Sequence, residues 1–191
     1  MEDERIFELS ASKALWLLSP RLVALVTTMN KEGKVNAAPY SFIGPISIDP
    51  PLCYVSVGKS NKDTEAFARE LKQFVINLVS ETFAQKAINC EANLPRGKNE
   101  LQEFGLHMRA SKKVVVPSVK EAPATIECEL TEVIDPKGSD HILLIGRVVA
   151  GTCKFMREQN KPDLDAMKLI MHVAGTHFRL VGKRIDLERR Y

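Results

Sequence analysis

The sequence predicts a mainly β protein: an antiparallel barrel with short peripheral helices. Three observations carry that expectation. Seven or so runs are short, apolar and rich in β-branched residues. The early runs are joined by hairpin-scale connections, as in antiparallel sheets. The helical patterns are brief and never alternate regularly with strands, which disfavours a doubly wound dinucleotide-binding sheet.

Taken in order, Ser10–Leu18 (SASKALWLL) reads as a short helix, with Ser10 or Ser12 as N-cap and Pro20 enforcing its end. Leu22–Thr28 (LVALVTT) is a buried strand, and NKEGK (Asn30–Lys34) a hairpin loop in which Gly33 supplies a positive φ. The returning strand is Val35–Ile43, and Pro50-Pro51 then interrupts any ladder because proline donates no hydrogen bond. Leu52–Val57 is a third strand. Lys62–Lys72 is an amphipathic helix with Thr64, Phe67, Ala68 and Leu71 on one face. Phe74–Val79 is a fourth strand, and residues 83–104 read as polar helix interrupted by Pro95 and Gly97. Later strands are expected at Lys113–Val116, Thr125–Ile134, His141–Lys154 and Leu169–Val181, with an exposed charged loop at Arg157–Asp165.

Composition narrows the function classes. The chain has 191 residues, 45% hydrophobic and 27% charged, which is globular composition sufficient for a full core in a single domain over 1–191. A net charge of +3 announces no nucleic-acid partner. No apolar run approaches the roughly 18 residues that span a bilayer, and the acidic start MEDERIFEL lacks a signal-peptide core. A soluble cytoplasmic protein is expected. The four cysteines (Cys53, Cys90, Cys128, Cys153) form no C-x-x-C pair, and Cys53, Cys128 and Cys153 sit in strands as small hydrophobes. No structural metal is expected.

Two stretches point to chemistry. After the strand ending at Val57, the loop GKSNKDT leads into a helix whose first N–H groups suit an anion. A lysine in a first helical turn is unfavourable by about 0.3–1 kcal/mol. Lys62 there is easier to understand beside a phosphate, with the hydroxyls of Ser56, Ser60 and Thr64 nearby; the plain alternative is a polar loop capped by Asn61. Gly58-Lys59-Ser60 is not a P-loop, because position 53 is cysteine where that motif needs glycine. The second stretch is Asn36–Phe42 (NAAPYSF), where small residues and a proline would let a flat ligand lie against the backbone. Its plain alternative is an edge strand or a bulge.

Together these stretches resemble a known family. Thr27-Thr28, N-A-A-P-Y-S (Asn36–Ser41), D-P-P-L (Asp49–Leu52), S-x-x-x-x-x-K-D-T (Ser56–Thr64) and F-V-I-N-L (Phe74–Leu78) resemble the flavin-reductase-like proteins, which include flavoredoxins and ferric reductases. Ser139–Val148 (SDHILLIGRV) is similar to that family's Gly-Asp-His element, with Ser139 in place of the glycine. The resemblance implies a six-stranded Greek-key FMN-binding split barrel, a homodimer, and FMN near the dimer interface. It places Asn36, Ala37, Ala38, Pro39, Tyr40 and Ser41 along the isoalloxazine and ribityl chain, and Ser56, Lys62 and Thr64 at the phosphate. Thr27 and Thr28 fall near the pyrimidine edge, with Asn77 a weaker candidate and His141 a nicotinamide contact.

The implied activity is reduction of flavin or ferric iron by NAD(P)H through bound FMN, with small-molecule donor and acceptor and no catalytic acid or base. The alternatives are a non-enzymatic FMN electron carrier reduced by a partner protein, a flavin-free interaction barrel, and a pyridoxine-phosphate oxidase, which the motifs fit less well. His107, His172 and His177 read as structural, the last two five apart on one strand and so on opposite faces. The basic C-terminal KRIDLERRY reads as a solvated tail or a dimer arm.

Overall fold

The structure is a computed structural model that describes residues 6–59, 63–92, 94, 98–182, 184, 185 and 187. One helical turn, α1 (Ala11–Ala14), runs into a 3-10 turn at Leu15–Leu18, and Ser10 occupies the N-cap without a side-chain capping bond. Strands β1 (Arg21–Leu22), β2 (Ala24–Met29), β3 (Val35–Tyr40), β4 (Ile43–Ser47) and β5 (Leu52–Gly58) follow. Helix α2 (Asp63–Leu71), strand β6 (Gln73–Leu78) and helices α3 (Ala84–Asn89) and α4 (Glu100–Glu103) come next. Strands β7 (Met108–Arg109), β8 (Ser118–Val119), β9 (Ala124–Ile134) and β10 (His141–Cys153), helix α5 (Leu164–Met167), and strands β11 (Ile170–Ala174) and β12 (His177–Leu180) complete the chain. No described helix is long and apolar enough to cross a membrane.

The main sheet has seven strands rather than the six the resemblance implied, in the order β3-β2-β6-β9-β10-β5-β4, all antiparallel. Strands β3 and β4 stand at its opposite ends, yet only Ser41 and Phe42 separate them in the chain. A two-residue link reaches only about 10 Å, so the sheet has to curl until its ends meet. The result is a half-barrel with an unpaired seam. At that seam the Phe42 carbonyl accepts from the Ser56 backbone N–H at 2.8 Å. The expected single strand Val35–Ile43 is therefore two strands, broken where the chain crosses the seam.

Both faces of β2 are buried, which is why Leu22–Val26 is apolar throughout. Ala24 and Val26 face the barrel interior with Val55, Val57, Phe74, Ile76, Cys128 and Leu144. Val23 and Leu25 face outward into a second core with Phe83, Leu101, Leu106, Val119 and Ile170. The Cys53 and Cys128 thiols meet at 3.5 Å inside the barrel, where they pack as expected of small hydrophobes. Gly33 takes φ +81° in the β2–β3 turn, where Asn30 Oδ1 accepts from the Glu32 and Lys34 N–H groups.

Two further expectations need correction. Lys113–Val116 is not a strand but part of an irregular segment laid over the outer face. Buried Glu127 accepts from the backbone N–H groups of Lys112 (2.8 Å) and Lys113 (2.7 Å), so a side chain replaces the ladder partners a strand would need. Leu169–Val181 is a hairpin, β11 and β12, turning at Gly175 (φ +52°). His172 and His177 consequently sit on neighbouring strands rather than on one.

Gly146 on β10 is where the interior is tightest: a Cβ there would stand 2.8 Å from Phe74 Cε1 and 2.9 Å from Cys128 Cβ. Gly146→Ala should lower stability by about 1–3 kcal/mol through overpacking, read as a fall in the denaturation midpoint. An unchanged midpoint would mean that Phe74 can shift at no cost.

Candidate functional site

The inner face of the β2–β3 pair carries polar side chains where the rest of the barrel is apolar. Thr28, Asn36, Thr64 and Tyr40 form one network beside the start of α2. Asn36 Nδ2 donates to Thr64 Oγ1 at 2.9 Å and to Thr28 Oγ1 at 3.3 Å, and the Tyr40 hydroxyl donates to Thr64 Oγ1 at 2.9 Å. A hydroxyl oxygen accepts twice, so Thr64 is left with its hydrogen to donate, and no described residue accepts it. Burial pushes the Tyr40 phenol up to about 12; the bond to Thr64 opposes the rise and the Glu91 carboxylate adds to it.

Beyond Tyr40 a cavity of about 450 Å³ opens at the seam. Pro39, Tyr40 and Ser41 form one wall; His172 and Phe178 of the β11–β12 hairpin, with Glu91 just past α3, face them. Ser41 Oγ lies 3.1 Å from His172 Nδ1, and Arg21 of β1 brings an N–H to the same nitrogen at 3.3 Å. The Arg21 guanidinium also lies 5.0 Å from the Phe42 ring centre, and that ring is 5.6 Å from the His141 ring. His141, Phe42, Arg21 and His172 thus form a continuous line along the seam. The Arg21 Nε atom is buried without an acceptor.

The structure divides the residues expected from sequence. It gathers Thr28, Asn36, Tyr40 and Thr64 into one network and brings Pro39, Tyr40 and Ser41 to the cavity. Ala38 faces the barrel interior beside Tyr40, and Ser56 is buried on β5 across the seam. Ala37 lies on the outer face, and its backbone N–H, on the free edge of β3, donates to Glu100 Oε2 at 3.2 Å. Burial holds that Glu100 carboxyl above its ordinary range, against its hydrogen bonds from backbone N–H groups. Pro39, two residues on, faces the same edge and loses no ladder bond.

Thr27 and Asn77 are not brought to this group. They face the outer side, where Thr27 Oγ1 donates to the Pro117 carbonyl at 2.7 Å and Asn77 Oδ1 accepts from the Val119 N–H at 2.7 Å. Lys62 lies outside the described residues, as do Ser60 and Asn61. His141 pairs with Asp140 at 2.7 Å beside Phe42. Sequence reasoning missed Arg21, Phe178 and Glu91, placed Phe42 in the candidate stretch without a role, and read His172 as structural. Their only signal in sequence is adjacency to expected motifs, since the hairpin that supplies two of them is more than 130 residues from Ser41.

The flavin reductase like domain matches residues 17–178, nearly all of this architecture. The chain belongs to the flavin-reductase-like family. It is 36% identical to an uncharacterized protein of Bacillus subtilis (strain 168), covering 95% of this chain and 96% of that protein. Among solved structures it is similar to nitrilotriacetate monooxygenase component B from Bacillus cereus (32% identity, 98% of both chains, TM-score 0.85). It is also similar to the 2-nitrobenzoate 2-nitroreductase of Pseudomonas fluorescens (29% identity, 97% and 96% coverage, TM-score 0.83). The antiparallel split barrel expected from sequence is the fold observed.

The residues present fit the flavin this family implies. The cavity adjoins the NAAPYS strand, no described residue accepts the Thr64 hydroxyl hydrogen, and Arg21 Nε is a buried donor with no described acceptor at the same seam. Tyr40 should ionise near pH 12 in the folded protein, in a spectrophotometric titration where Tyr40→Phe removes that step. Its folded value exceeds the ordinary 10.0, so its contribution to stability is intact below pH 10 and is lost as pH rises from there through about 12. A Tyr40 that ionises near pH 10 would contradict the burial seen here.

Proposed function

We propose that this chain binds FMN along β3 and at the start of α2, and that it reduces free flavin or ferric iron at the expense of NADH or NADPH. One observation carries this reading: Tyr40 both lines the cavity at Pro39–Ser41 and donates to the buried Thr28–Asn36–Thr64 cluster, so a ring-sized space and a hydroxyl cluster meet at one side chain. The oxidoreductase names of the two solved relatives, a monooxygenase component and a nitroreductase, support it.

The bound flavin supplies the redox chemistry. Asn36–Ser41 line the ring and ribityl chain, while Ser56 and Thr64, with Lys62 beyond the described residues, hold the phosphate. Asn36 and Tyr40 both donate to the Thr64 oxygen, which orients its remaining hydrogen for a phosphate acceptor. Pro39 and Phe178 give the ring site apolar walls that exclude water, and His141 with Phe42 offers a nicotinamide a stacking surface. Thr27 and Asn77 act at one remove, by fixing the segment over the outer face of β2.

We also propose a homodimer. Leu15, Trp16, Leu17 and Leu18 are 59–73% exposed, a contiguous apolar run that a second copy would bury.

The purified protein, supplied with FMN, should show flavin bands that bleach anaerobically with NADH or NADPH alone. Bands that persist would leave an electron carrier, and no bands after reconstitution would end the cofactor assignment. Lys62→Ala should weaken FMN binding about tenfold or more while leaving riboflavin binding unchanged, because only FMN carries the phosphate. Equal losses for the two would place Lys62 elsewhere. Sedimentation should give twice the chain mass, and Leu17→Glu should shift it toward monomer; a wild-type monomer with FMN bound would refute the dimer.

A further inference from the structure

Two of the four cysteines are brought together by the fold alone. Cys53 lies on β5 and Cys128 on β9, 75 residues apart in the chain, and β10 runs between those two strands. Their sulfurs nevertheless meet at 3.5 Å inside the barrel. Gly146 makes the meeting possible. It is the β10 residue opposite Cys53, and a Cβ on it would stand 2.9 Å from Cys128 Cβ. The strand between the two cysteines thus carries no side chain where the thiols reach across it.

The same arrangement decides what the pair can hold. Strands two apart in a sheet stand about 9–10 Å from each other, whereas the α-carbons of a disulfide lie about 4.4–6.8 Å apart. A direct S–S bond would have to draw β5 and β9 together over β10. A single atom between the sulfurs needs no such movement of strands. With metal–sulfur bonds of about 2.3 Å, a near-linear S–metal–S unit spans roughly 4.6 Å, an opening of about 1 Å that turning the two side chains supplies.

The surroundings narrow the choice of ion. Among the described residues no group of three or more histidine, cysteine, aspartate or glutamate side chains is placed to share a metal, so four-coordinate zinc has no ligand set here. Two sulfurs alone suit a soft, closed-shell monovalent ion, Cu(I) or its analogue Ag(I). Val55, Phe74, Leu130 and Leu144 belong to the same apolar interior, where a net charge is costly. One thiolate, one thiol and one monovalent cation sum to zero, so binding releases one proton.

We propose that Cys53 and Cys128 form a two-coordinate site for a soft monovalent metal ion, Cu(I) in the cell. Gly146 is the opening across which they share it. The ion enters on the Cys53 side: Cys53 stands opposite Pro45 of the edge strand β4, whose register slips between Pro45 and Ser47, whereas Cys128 is wholly buried. The proposal is independent of the flavin reading, since neither cysteine lines the seam cavity.

The test supplies Cu(I), buffered by a chromogenic chelator under anaerobic conditions, to the reduced protein, and repeats the titration with Ag(I). One equivalent should bind per chain with release of one proton, and X-ray absorption of the Cu(I)-loaded protein should show two sulfur neighbours. Binding should also raise the wild-type denaturation midpoint, a readout that needs no variant to fold. Cys53→Ala and Cys128→Ala should each weaken binding at least about hundredfold, while Cys90→Ala and Cys153→Ala leave it unchanged. An affinity no greater than that of a small-molecule thiol, three or more ligand neighbours, or equal losses for all four variants would overturn the proposal. So would a Cys53–Cys128 disulfide formed in the folded protein by mild peroxide and found by mass spectrometry, because it would show that β5 and β9 can close over Gly146.

Discussion

Ser41 and Phe42 join the two ends of a seven-stranded sheet, and that short link is the constraint on which the molecule depends. Two residues cannot span an open sheet of seven strands, each about 4.8 Å from the next, so the sheet must close on itself. Closure without pairing leaves a seam. On one side of it β3 has a free edge; on the other, β4 and β5 stand beside the barrel mouth. The cavity, the polar network and the row of Arg21, Phe42, His141 and His172 all lie along this discontinuity. A fully paired barrel would have no such opening.

Closing the barrel also decides how buried polar groups are satisfied. On the inner face Thr64 accepts from both Asn36 and Tyr40, tying the first turn of α2 to the edge strand. On the outer face Thr27, Asn77 and Glu127 hold residues 112–119 through their backbone groups, so that segment covers the sheet without strand pairing of its own over 112–117. All of these side chains but the partly exposed Tyr40 are almost wholly buried, and removing one partner would strand the other at about 1–3 kcal/mol. The inner network differs in one respect: among the described residues its Thr64 hydrogen has no acceptor, and its Tyr40 lines the cavity. That separates a polar group that serves a ligand from one that serves the fold.

Much of the fold was legible because strand signals are local. LVALVTT, LCYVSV and FVINLV are apolar on both alternating faces and proved to be strands buried on both sides. NKEGK proved to be the hairpin its glycine suggested. The misreadings have local causes as well. KKVVV carries β-propensity, yet Glu127, more than ten residues away, supplies its hydrogen bonds. The run from Leu169 to Val181 is apolar enough for one strand, and only Gly175 marks the turn within it. Thr27 and Thr28 look equivalent in sequence, but alternation sends them to opposite faces, one to a structural segment and one to the site.

The sequence by itself determined the strand content, the early hairpins, the family resemblance and the hydroxyl-rich entry to α2, because each depends on spacing within a dozen or so residues. Tertiary structure alone decided the cavity and the chemistry of its walls. His172 and Phe178 arrive from a hairpin near the end of the chain, Arg21 from a strand near its start, and Glu91 from beyond a short helix. Whether Ser41 donates or accepts depends on which atom of a distant histidine it meets. Hydrogen-bond direction is a property of partners in space, and spacing along a chain does not encode it.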